Sequence, residues 1–233
     1  IATVAIVTVF VLIKFVYKKP IPFLSTKKKT IEETTNKKKK IIETDQDSLT
    51  FKTENIHLKR GKESYEKGFY NDAITEFNSV VESGTDDKDK AIALTYLGLI
   101  SFARKEYDKA IVYYQRAAKY DSSNYDVYKN LANAYRKSNN YKKAIEAAKK
   151  SISINDKNPK AYIILGNIYY ELGKYKKAIK TYRKAIDIAP ANAAVHYNLG
   201  SALYKKGDEF SAIEYFKKAG TLDKTGEVAY RAY

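Results

Sequence analysis

Apolar side chains along residues 54–223 fall into two alternating sets, and both sets return every 34 residues. The block at residues 159–192 shows the pattern most clearly. Counting offsets from its first residue, Tyr162, Leu165, Gly166 and Tyr169 occupy 4, 7, 8 and 11, and Tyr175, Ala178, Ile179, Tyr182 and Ala185 occupy 17, 20, 21, 24 and 27. Spacings of three and four put each set on one face of an α-helix, so every block predicts two amphipathic helices joined by a short turn. Blocks beginning at Glu54, Ala91, Tyr125, Pro159 and Ala193 keep this register, with three extra residues after the first, which gives units at 54–90, 91–124, 125–158, 159–192 and 193–223.

Small residues recur as strictly as large ones. Offset 20 is Ala73, Ala110, Ala144, Ala178 and Ala212, and seven of the ten glycines sit at offsets 8 and 15. Small residues at 8, 20 and 27 let the two helices of a hairpin approach, while large ones at 4, 7, 11, 17 and 24 fill the space between hairpins. Asn124, Asn158 and Asn192 stand just before a first helix, where an Asn side chain satisfies orphan amides. Pro159 follows at the first helical position, which it tolerates.

With period and offsets in hand, the blocks resemble tetratricopeptide repeats over residues 54–223. The departures are Arg60 for Leu at offset 7 of repeat 1, Ala148 for an aromatic at offset 24 of repeat 3, and Glu209-Phe210, which moves the aromatic of offset 17 by one in repeat 5. The resemblance implies an all-α, right-handed superhelical solenoid of five hairpins. Tyr230 and Tyr233 match offsets 4 and 7 of a further first helix, so residues 224–233 read as a partial capping helix.

The same resemblance implies a concave groove lined by first helices at offsets 2, 5, 6, 9, 12 and 13. Repeat 2 offers an apolar patch of Ile92, Tyr96, Leu99 and Phe102, and repeat 3 a polar cluster of Lys129, Asn130, Asn133 and Arg136. Repeat 4 adds Ile163, Ile164, Asn167 and Tyr170, and repeat 5 Tyr197, Asn198 and Tyr204. An apolar patch beside amides and cations suits an extended or helical peptide; the alternative is packing against a neighbouring repeat. The clamp by which some family members hold chaperone C-terminal carboxylates is incomplete in either register: Lys129 and Asn133 match one, but Ile164, Ala194 and Asn198 do not.

Ahead of the repeats, residues 1–17 carry one charge, Lys14, and read as a transmembrane helix at the short end of the roughly 17 to 25 residues a span needs. No small-x-small cleavage site follows, which argues for a permanent anchor over a signal peptide. Residues 18–53 lack hydrophobic periodicity and read as a basic flexible linker. Its Lys18, Lys19, Lys27, Lys28 and Lys29 are lipid-contacting candidates at about 1 kcal/mol each, with a solvated spacer as the alternative. Lysines after the span favour a cytoplasmic domain, whereas an N-terminal signal anchor exports its domain; the reading taken is a single-pass protein of the bacterial inner membrane with repeats on the periplasmic side.

The net charge of +16 permits acidic, nucleic-acid or lipid partners. Segment by segment, residues 1–53 hold eleven Lys and Arg against five acids, and the repeats thirty against twenty-one, so the repeats are mildly basic. The absence of Cys removes disulfides, thiolate metal sites and cysteine nucleophiles. His57 and His196 both fall at offset 4, which marks them as packing residues. No catalytic constellation, cofactor motif or small-molecule site is evident. The expected function is a non-enzymatic, membrane-anchored scaffold that meets other proteins through its groove and repeat ends, in layout like bacterial envelope assemblies such as a flagellar motor collar, by analogy alone. The alternatives are an organelle import or targeting receptor facing the cytosol and a lysine-driven nucleic-acid binder, the latter lacking a basic stripe with stacking aromatics.

Overall fold

The computed structural model describes residues 56–83 and 86–223. The span at 1–17, the linker at 18–53 with Lys18, Lys19, Lys27, Lys28 and Lys29, and the capping segment at 224–233 lie outside the described residues. Among the described residues no helix is long and apolar enough to cross a membrane.

Among the described residues ten helices pair into five hairpins. They are α1 (56–66), α2 (Tyr70–Glu82), α3 (Asp87–Ala103), α4 (Tyr107–Tyr120), α5 (Tyr125–Lys137), α6 (Tyr141–Ile154), α7 (Pro159–Glu171), α8 (Tyr175–Ile188), α9 (Ala193–Lys206) and α10 (Glu209–Leu222). Three first helices start where the period puts them. Asn124 Oδ1 accepts from the Asp126 and Val127 amides at 3.1 and 3.3 Å, Asn158 Oδ1 from Lys160 at 3.0 Å, and Asn192 Oδ1 from Val195 at 3.3 Å. The extra residues ahead of repeat 2 extend its first helix backwards to Asp87, with Asp87 and Asp89 in the first turn where negative charge suits the helix dipole.

Contacts run mainly within hairpins and from each second helix to the next first helix. First helices of repeats 2 to 5 also touch their successors, whereas second helices do not pack on one another to that extent. First helices are therefore crowded together on the inner side, and the groove lies along them.

Alanines at offset 20 are buried in all five repeats, as are Leu97, Leu131, Leu165 and Leu199 at offset 7, while Arg60 at that offset is exposed. A Cβ added to Gly166 would lie 2.4 Å from the Tyr182 ring, and one on Gly98 2.5 Å from Tyr114, so offsets 8 and 24 interlock within a hairpin. Repeat 3 resolves the same contact with Ala132 and Ala148, both fully buried. Its departure at offset 24 is thus matched by one at offset 8.

Offset 15 has positive φ in every repeat. Gly68, Gly173 and Gly207 take it without strain, and Lys105 (φ 62°) and Asn139 (φ 59°) take it as non-glycine residues. Phe210 is 82% exposed, so the shifted aromatic of repeat 5 leaves the core instead of replacing Tyr175-type packing. The histidines divide. His196 is buried, its Nε2 donating to the Pro190 carbonyl at 2.8 Å and its ring stacked on Tyr215. His57 is half-buried and its Nδ1 lies 2.5 Å from Glu76 Oε2, a polar partner that its expected packing role did not include.

Candidate functional site: the inner groove

The residues expected to line the groove separate into three neighbourhoods. In repeat 2, Ile92, Tyr96, Leu99 and Phe102 are half-buried. Tyr96 stacks on Phe77 at 4.9 Å and meets Tyr65 edge-on at 5.1 Å, and Phe102 packs on Tyr107 at 5.3 Å. This aromatic patch is committed to joining repeats 1 and 2, so truncating Tyr96 removes core packing together with any contact to a partner.

In repeat 3 the cations are already engaged. Lys129 pairs with Asp126 one turn away. Arg136 donates to Asn133 Oδ1 through Nε (3.2 Å) and Nη2 (2.8 Å), and Nη1 meets Glu171 Oε1 of repeat 4 at 2.5 Å. The Arg136 side chain is only 13% exposed, and it joins two first helices. Asn130 is half-buried beside this cluster.

Repeats 3 to 5 converge on a pocket of about 330 Å³ lined by Arg136, Asn167, Tyr170, Glu171, Tyr182, Tyr197, Asn198 and Ser201. Asn167 sits at its centre. Its Oδ1 accepts from the Tyr182 hydroxyl at 2.7 Å and from Asn198 Nδ2 at 3.3 Å. Tyr197 packs on Phe216 at 5.4 Å, which holds its ring as a wall. Burial raises the hydroxyl pKa of Tyr182 and Tyr170, Tyr182 also feeling Tyr170 and Glu171 against an opposing Arg136, and Tyr170 feeling Tyr175 and Tyr197. The hydroxyls therefore stay neutral, and the pocket offers amides, hydroxyls and one internally paired ion pair. Such groups can both donate to and accept from a polar guest.

Five of the expected residues, Arg136, Asn167, Tyr170, Tyr197 and Asn198, meet at this pocket. Ile163 and Ile164 pack against the core clusters on either side, and Tyr204 is 56% exposed outside it. Offset reasoning missed Tyr182, while Glu171 stands at groove offset 13 without having been singled out. Tyr182 occupies offset 24, a core position whose ring is buried, yet its hydroxyl passes between helices to the groove. A Tyr where other repeats carry Phe77 or Phe216 was the available signal.

Helical hairpins stacked with their first helices inward and a peptide-sized groove define the class of protein-interaction solenoids. Family models described as tetratricopeptide repeat match residues 58–127 and 193–225, one described as TPR repeat matches 166–207, and one described as anaphase-promoting complex, cyclosome, subunit 3 matches 103–185. The chain belongs to the tetratricopeptide-repeat family. A crystal structure of MamA protein is 27% identical with a TM-score of 0.65, over 75% of this chain and 93% of that one. MamA 41-end from Desulfovibrio magneticus RS-1 is 19% identical with a TM-score of 0.66, over 75% and 97%. YrrB, described as a TPR protein with an unusual peptide-binding site, is 18% identical with a TM-score of 0.61, over 76% and 89%. No curated protein matches the sequence significantly.

Proposed function

We propose that this protein is a non-catalytic binding module that takes an extended segment of another protein in its groove, with the pocket of repeats 3 to 5 as the main contact. The observation that carries this reading is the convergence of Asn167, Asn198, Ser201 and Tyr170 from two first helices on one cavity, walled by Arg136 of a third, which pairs with Glu171. Half-buried amides arranged this way reward a ligand that pairs with them, because a backbone carries both donors and acceptors. The peptide-binding site named for YrrB, a protein of the same fold, supports the reading. Selection of 12-residue peptides from a phage-displayed library on the full chain tests it. Peptides so recovered should bind Asn198→Ala and Asn167→Ala variants at least tenfold more weakly, Asn167→Ala also losing some stability with the Tyr182 bond. Equal affinity for parent and variants would sink the proposal.

Attachment to a bacterial inner membrane through residues 1–17, with the repeats on its outer side, is part of the same proposal and is supported by the composition of that stretch. Protease added to cells with a permeabilised outer membrane should digest the repeats; digestion only after the inner membrane is breached would reverse the side.

A further inference from the structure

The turn between the two helices of a repeat, together with the end of the next first helix, forms a depression at the edge of the solenoid. It occurs twice with different chemistry. At repeat 2 a depression of about 470 Å³ is lined by Lys105, Glu106, Asp108 and Lys109, closed against Ser138, and Lys109 pairs with Glu106 at 2.9 Å. At repeat 4 a depression of about 510 Å³ is lined by Lys174, Tyr175, Lys176, Lys177, Lys205 and Lys206 with Gly173. Glu106 and Asp108 stand at offsets 16 and 18, where repeat 4 has Lys174 and Lys176. The shape is therefore repeat architecture, and the charge at these offsets reverses between repeats 2 and 4.

All five of these lysines are exposed, and among the described residues none forms an ion pair. Of the carboxylates flanking them in sequence, Glu171 is held by Arg136 and Asp208 accepts from the Ser211 amide at 3.2 Å. Repeats 3 and 4 together hold fifteen Lys and Arg against five acids, whereas repeat 1 holds six against nine. Five cations with no ion pair among the described residues stand around one hollow, Lys177 with its Nζ over the Tyr169 ring at 5.8 Å, and as like charges they gain from an anionic guest.

The hollow adjoins the groove. Tyr170, which lines the polar pocket, meets Tyr175, which lines the basic one, with ring centroids 5.6 Å apart. A chain leaving the polar pocket past Tyr170 arrives among the lysines. From this juxtaposition we infer that the partner is a protein segment with an acidic stretch of Asp or Glu next to the part that occupies the groove, and that the repeat 4 depression receives the stretch. The inference rests on the groove reading above. A concave site continuous with a peptide groove favours a protein segment over a bilayer, which is flat. Tyr175 is the aromatic residue lining the hollow, fewer than the successive rings on which a single-stranded nucleic acid stacks.

The test uses the full chain and fluorescein-labelled octaglutamate, with octaserine as control, at 50 mM NaCl. Octaglutamate should bind and octaserine should not. Lys174→Glu with Lys176→Asp installs residues that repeat 2 already carries at these offsets, so folding is preserved; it should weaken octaglutamate binding at least tenfold. The reciprocal Glu106→Lys with Asp108→Lys should add a second site of similar affinity. Octaglutamate affinity unaltered by the repeat 4 exchange overturns the inference. So does lysine-dependent binding of labelled dT20, or of vesicles with 30% phosphatidylserine, that is tighter than octaglutamate binding. Library peptides that need Asn198 but carry no acidic stretch would overturn it while leaving the groove reading standing.

Discussion

The hydroxyl of Tyr182 donates to Asn167 Oδ1 across 2.7 Å, which ties the second helix of repeat 4 to the floor of the groove. The ring of Tyr182 is core and its oxygen is surface chemistry, so the two roles can be separated. Tyr182→Phe should keep the packing and cost about 0.5–1.5 kcal/mol of stability for the lost bond. It should also free Asn167 to reorient and weaken binding of selected peptides. Urea denaturation and titration calorimetry on the same variant check both effects.

Gly166 and Tyr182 interlock, and Ala132 with Ala148 solves the same contact with two medium-sized partners. Gly166→Ala should therefore destabilise by roughly 1–3 kcal/mol, the usual range for overpacking. Ala148→Tyr alone should be similarly costly, and adding Ala132→Gly should recover most of the loss. A double-mutant cycle by denaturation measures the coupling; additive losses would contradict the interlock.

Lys105 holds φ 62° at the turn position that three other repeats give to glycine. A left-handed L-residue costs roughly 1–2 kcal/mol, and Asn bears it better than Lys. Lys105→Gly should then raise stability by about 1 kcal/mol, and Asn139→Gly by less. Thermal melts of the two variants compare them directly.

Tyr114 and Tyr182 are buried, and burial raises both hydroxyl pKa values well above the usual tyrosine value of about 10. Their folded pKa values exceed the unfolded ones, so the associated stability is intact below about pH 10 and is lost as pH rises toward the folded values. Tyrosinate absorbance near 295 nm should show a late step that coincides with loss of helical circular dichroism. Tyr114→Phe with Tyr182→Phe should shift unfolding to higher pH.

The helical hairpins and the Asn caps were legible because each rests on local rules that recur along the chain, so errors at one copy are corrected by the others. The start of α3 at Asp87 was missed because three inserted residues can lengthen a helix or a loop with equal ease. The groove was legible only as a set of offsets. Offsets say which way a residue faces, and they do not say whether a neighbour reaches it first. Tyr96 goes to Phe77 and Lys129 to Asp126, so neither is free, while Tyr182 reaches the groove from an offset reserved for the core. These are pairings between repeats or turns, and they depend on side-chain length and on what stands opposite.

Ile179 is 7% exposed beneath repeat 5, while its counterpart Ile213 in repeat 5 itself is 52% exposed among the described residues. Because hairpins lean on their immediate neighbours, stability here is a chain of local couplings, and among the described residues repeat 5 packs on repeat 4. The polar pocket spans that last coupling, with Asn198 of repeat 5 reaching Asn167 of repeat 4. A guest seated there works as a staple, so occupancy of the groove and tightening of the terminal hairpin are a single thermodynamic event.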